Sequence, residues 1–145
     1  MNRKITYGLG AIAVAVAAFT FLQMGTQPTV QGATPPLQGD PIVTVAIPAE
    51  LSPNAQIGKR GFDAKCAACH GENAAGQHGV APPLVHKIYE PSHHSDTAFV
   101  LAAKNGVRSH HWKFGNMPPV DGLTDADVKY IARYVRELQK VNGIN

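Results

Sequence analysis

Both cysteines of the chain stand in one pentapeptide, Cys66-Ala67-Ala68-Cys69-His70. This C-x-x-C-H spacing is that of covalent haem attachment. Two thiols three positions apart add across the two vinyl groups of the porphyrin. The histidine after the second cysteine is then held under the iron as an axial ligand. Other chemistries also use close cysteine pairs. A thioredoxin-like exchange pair belongs to a βαβ pattern, which this sequence lacks, and half of a zinc site needs a matching pair downstream. A chance occurrence is the third alternative. The expected cofactor is one covalent haem c, bound through Cys66 and Cys69 with His70 on the iron.

A second axial ligand is sought among the methionines. Met1 and Met24 lie in an apolar leader, so only Met117 is available, in Gly115-Asn116-Met117-Pro118-Pro119. The two prolines cannot donate backbone hydrogen bonds and stiffen the loop after the sulfur. A loop-edge methionine is ordinarily packing; beside an attachment motif it is expected to be the sixth ligand. A thioether favours ferrous iron and fills the position that oxygen or a substrate would need, which points to electron transfer rather than catalysis. Trp112 is expected over the haem edge, with its indole N–H or the Arg108 guanidinium on a propionate; packing and a solvated charge are the plain alternatives. Six histidines lie outside the motif, among them the adjacent pairs His93-His94 and His110-His111. Surface or propionate-bonding histidines are the plain reading. Convergence of the pairs on copper or zinc, and a pH-sensitive docking surface, are the others.

These residues must be positioned by some 95 residues, Leu51 to Asn145. Ser52-Pro53 reads as an N-cap with proline at the first helical position, opening a helix toward Lys65. Ser95 is expected to cap a second helix through Phe99 and Ala103, stopped by Gly106. Thr124 and Asp127 form a capping-box pattern, with Leu123 stapling to Val128. Val128, Ile131, Tyr134, Val135 and Leu138 then make one apolar helical stripe. With no hairpin signal and no repeat, the fold class is all-α: a small helical domain wrapped around its cofactor.

Two segments precede it. Arg3 and Lys4 are followed by Tyr7–Met24, eighteen residues without a charge. That is the pattern of an export signal with its N-terminus in the cytoplasm. Eighteen helical residues span about 27 Å, close to a bilayer's hydrocarbon core. Residues 1–24 are therefore expected as an uncleaved membrane anchor, with a cleaved signal peptide as the alternative. Residues 25–50, rich in proline and glycine, read as a tether, although Ile42–Ile47 has the composition of an extended strip on the domain. Thirteen Lys and Arg against ten Asp and Glu leave a net charge of +3, too small to indicate a nucleic-acid partner.

The 51–145 segment resembles the small monohaem class I c-type cytochromes over nearly its whole length. Gly58, Phe62, Cys66, Cys69 and His70 match the family's first helix and attachment turn in spacing. Ile131 and Tyr134 match the last helix where it crosses the first. Ala81-Pro82-Pro83-Leu84 is similar to the family's Gly-Pro-Asn-Leu segment, and departs from it in Ala81 and Pro83. The resemblance implies that the Pro82 carbonyl accepts the proton of the ligand histidine, and that Gly58 lets the helix backbones approach while Phe62 and Tyr134 stack nearby. Membrane-tethered members share the layout of anchor, proline-rich tether and haem domain.

The expected function is a non-enzymatic, one-electron carrier on the periplasmic side of the inner membrane, tethered by residues 5–24 or soluble if these are cleaved. Its expected partners are membrane respiratory complexes: a quinol–cytochrome c reductase, a terminal oxidase or another reductase. Two alternatives remain open at this level: a haem-bearing sensor or metal-handling module using His93/His94 and His110/His111, and an accessory haem subunit of a larger oxidoreductase complex.

Overall fold

The structure, a computed structural model, describes residues 35–145. The expected anchor or signal helix at 1–24 and the first part of the tether lie outside the described residues. Among the described residues, four α-helices and two short 3₁₀ turns make up the regular structure: α1 (Pro53–Lys65), α2 (Ala67–His70), α3 (Asp96–Asn105) and α4 (Asp125–Val141). Among the described residues there is no strand, only isolated bridges at Gln77–Ala81 and Val107–Met117. The domain is all-helical.

Each helix start has a local cause. At α1 the Ser52 hydroxyl accepts from the Ala55 N–H, with Pro53 in the first position, where a missing N–H costs nothing. At α4 Thr124 and Asp127 complete a reciprocal capping box. At α3 Ser95 occupies the N-cap position, but its hydroxyl makes no capping hydrogen bond; Asp96 in the first turn supplies the charge that favours a helix N-terminus. Gly106 ends α3 at φ 73° and ψ −179°, a region essentially reserved for glycine.

Helix α1 crosses α4 at Gly58, where a Cβ would lie 1.8 Å from the Tyr130 carbonyl oxygen. Only a glycine permits that approach. The crossing buries Ala55, Phe62, Ile131, Tyr134, Val135 and Leu138 in one cluster, with the Phe62 and Tyr134 ring centroids 5.6 Å apart. A smaller cluster of Val100, Ala103 and Val128, covered by Leu123 and Phe99, joins α3 to α4. Each fully buried side chain of this kind contributes about 1.5–3 kcal/mol relative to exposure.

The compact unit runs from Pro36 to Asn145, so the second half of the expected tether belongs to it. Gly39 N–H donates to the His78 carbonyl at 2.9 Å, and the Ile42 and Val43 N–H groups both donate to Ala75. Asn142 reads both backbone groups of Ala46, at 2.9 Å each, and Val45 packs on the main core cluster. Proline and glycine prevent a helix here without preventing docking, because the loop carbonyls of Ala75 and His78 offer the hydrogen bonds that a ladder would otherwise supply.

Candidate cofactor-binding site

The attachment pentapeptide is the kink between α1 and α2. Cys66 closes α1 through its N–H to the Phe62 carbonyl, and the His70 N–H returns to the Cys66 carbonyl at 2.9 Å. The four-residue α2 turns Cys66, Cys69 and His70 toward one cavity of about 590 Å³, within the range of roughly 300–1,000 Å³ that takes a cofactor-sized ligand. Gln77 holds the outside of this turn, its Nε2 donating to the Ala67 and Ala68 carbonyls at 3.2 and 3.0 Å.

His70 is 9% exposed, and its Nδ1–H donates to the Pro82 carbonyl at 2.8 Å. Burial holds the imidazole below its ordinary pKa, against a smaller upward pull from that carbonyl. The ring is therefore neutral at pH 7, with the proton on Nδ1 and the Nε2 lone pair free for a metal. The two departures in the Ala81–Leu84 segment are accommodated. Ala81 does not adopt a positive φ, so glycine is not required there, and Pro83 is fully buried.

Burial pushes the Cys66 thiol up to about 11, with the nearby Cys69 adding to the shift. A dithiol exchange centre uses a thiol lowered toward neutrality, which Cys66 is not, and the described residues hold no strand for the βαβ setting of that motif.

Met117 lines the same cavity. It comes from the 107–117 loop, closed at its base by Val107 and Met117, whose N–H and carbonyl groups exchange hydrogen bonds at 2.9 and 3.0 Å. Inside the loop the Ser109 N–H donates to Asn116 Oδ1 at 2.9 Å, and the Ser109 hydroxyl donates to the Trp112 carbonyl. Trp112 stacks on Phe114 and meets the His86 ring edge-on at 5.2 Å.

The remaining wall is largely apolar, with Leu84, Phe99, Ala102, Val128 and Ile131 among its residues. Within it, Trp112 Nε1 is buried without a hydrogen-bond partner. A buried N–H left unpaired is costly, and a group carrying an anionic acceptor would satisfy it. That orphaned donor, two thiols, a free imidazole nitrogen and a thioether on one apolar cavity fit a haem with ionised propionates. Tyr89, on the same wall, has its phenol pushed up by burial; the Trp112 N–H reaches toward it and opposes the shift without completing a hydrogen bond. Arg108 is exposed and lies off the cavity wall. Its backbone carbonyl accepts from the His110 Nδ1–H at 2.8 Å.

A family model for cytochrome c matches residues 55–139, more than half of the 145-residue chain. The chain belongs to the cytochrome c family. A search among curated proteins finds no match. Membership makes haem c, covalently attached, the cofactor of this domain, and Cys66 and Cys69 lie within the matched stretch. It also implies haem-based electron transfer as the coarse function.

Two residues that hold this cytochrome's site together were not foreseen. Gln139, fully buried, donates from Nε2 to the Leu84 and Tyr89 carbonyls at 2.8 and 3.0 Å. Arg136 bonds the Tyr89 and His94 carbonyls, Asp96 and Gln139. Together they clamp the 84–94 loop to α4. The available signal was positional: Gln139 falls four residues after Val135 on the apolar stripe, where a polar side chain needs buried partners.

Proposed function

We propose that this cytochrome carries single electrons at a haem ligated by His70 and Met117, as a monohaem domain of the class I, bacterial type. The haem supplies a one-electron iron couple whose potential Met/His ligation raises. The protein's residues do the rest. Cys66 and Cys69 clamp the group, and Pro82 holds the His70 tautomer. Trp112 offers its N–H to a propionate, and the apolar wall keeps water away. Met117 closes the position that an exogenous ligand would take. One observation carries this reading: Met117, the single methionine within the family match, lines the same cavity as His70 and is pinned at the closed base of its loop.

The partners that suit such a carrier are membrane respiratory complexes, a quinol–cytochrome c reductase on one side and a terminal oxidase or other reductase on the other. The place that suits it is the periplasmic face of the inner membrane, with residues 5–24 as anchor. The charge-free apolar run and the Arg3/Lys4 flank support this placement.

The test is spectroscopic. The oxidised holoprotein is expected to show a sulfur-to-iron charge-transfer band, and the reduced form to resist carbon monoxide. Met117→Ala is expected to abolish the band and to bind carbon monoxide rapidly. A parent protein that already binds carbon monoxide rapidly refutes the ligation. Mass spectrometry of the mature protein isolated from membranes reads haem attachment and retention of residues 1–24 together.

A further inference from the structure

The two histidine pairs, seventeen residues apart along the chain, meet in space. One ring nitrogen from each of His93, His94 and His111 lies within 4.8 Å of the other two. His93 Nε2 and His111 Nε2 are 3.3 Å apart. That is long for a hydrogen bond, which prefers about 2.7–3.2 Å. It equals the nitrogen–nitrogen edge of a tetrahedral zinc site, about 3.3–3.4 Å for zinc–nitrogen bonds of about 2.0–2.1 Å. Square-planar copper would want a shorter edge, near 2.9 Å for right-angled bonds of similar length.

His94 is prepared for the same role. Its Nδ1–H donates to the Ile88 carbonyl at 2.7 Å, which leaves the lone pair on Nε2, as the outer hydrogen bond of a metal-bound histidine does. The backbone beneath it is fixed, because the Arg136 guanidinium binds the His94 and Tyr89 carbonyls. His93 and His111 are exposed and His94 half-buried, so an ion has access from solvent.

We propose that His93, His94 and His111 form a binding site for a zinc-type divalent ion, with a fourth position open to water. The site uses none of Cys66, Cys69, His70 or Met117, although His94 and His111 also line the cavity that takes the haem, so zinc retention and the haem spectrum are scored separately. An ion held there ties the Met117 loop, through His111, to the segment ahead of α3, through His93 and His94.

The experiment is a titration of the untagged, haem-loaded full chain with zinc, read by equilibrium dialysis, with the haem absorption spectrum as the check on folding. The parent is expected to bind one zinc ion per haem. His93→Ala and His111→Ala, both at exposed rings, are expected to keep the haem spectrum and weaken binding by more than about tenfold, since even outer-shell changes cost that much. His78→Ala, outside the group, is expected to bind as the parent does. Failure of the parent to retain zinc overturns the proposal. So does undiminished affinity in both the His93 and His111 variants.

Discussion

Met117 depends on a residue eleven positions earlier. Gly106 sits at φ 73° and ψ −179°, and a Cβ there would lie 2.5 Å from the Met117 carbonyl oxygen. Gly106→Ala is therefore expected to break the Val107–Met117 bridge and to weaken or abolish the sulfur-to-iron band, while Cys66 and Cys69 still hold the haem. An oxidised variant with the parental band would show that the bridge does not position the sulfur. His111 has its imidazole held below the ordinary range by partial loss of water and by repulsion from positive charge on His110, His94 and His93.

At the scale of elements, the α1–α4 crossing carries most of the core, and its closest point is backbone on backbone. Gly58→Ala is expected to cost about 3 kcal/mol, since a Cβ 1.8 Å from the Tyr130 carbonyl oxygen fits only if the helices move apart and unpack Phe62 from Tyr134. Chemical denaturation of the holoprotein measures it, and a loss below about 1 kcal/mol would mean that the helices separate easily.

The same helices share a polar tie. Ser52 donates to Glu137 from its N–H at 3.0 Å and from its hydroxyl at 2.6 Å. Burial pushes the Glu137 carboxyl up, but the two Ser52 hydrogen bonds and Arg133 pull it further down, to below its ordinary value of 4.5. A carboxyl lowered in the folded state stabilises fully above its unfolded pKa and loses that contribution as pH falls through the folded one. Stability is thus expected to drop below about pH 4.5. Glu137→Gln is expected to be less stable by about 1–2 kcal/mol at pH 7 and to converge with the parent in acid. Parallel pH profiles would remove Glu137 from the account.

For the molecule as a whole, the domain boundary is a physical question. The 36–50 strap hydrogen-bonds to Ala75, His78 and Asn142 and packs Val45 on the core. A chain beginning at residue 36 is expected to keep the melting temperature of the full chain. One beginning at residue 51 is expected to melt lower by about 5–10 °C, for a loss of about 1–2 kcal/mol. Equal melting temperatures for the two would make the strap a passive covering.

The elements legible from residue order alone were those with local causes. The helix starts at Ser52 and Thr124, the α4 stripe and the attachment pentapeptide follow from caps, periodicity and a fixed three-residue spacing, all of which act over one or two turns. The haem cofactor was legible for the same reason, and so was the glycine at the α1–α4 crossing through its family resemblance. What depended on folding were contacts between distant segments. Arg136 and Gln139 gripping the 84–94 loop, the strap lying on Ala75 and the gathering of His93, His94 and His111 all join residues whose separation along the chain carries no periodic signal. Local propensity acts through neighbouring dihedrals and can be read in one dimension; long-range hydrogen bonds exist only once the core has brought their partners together.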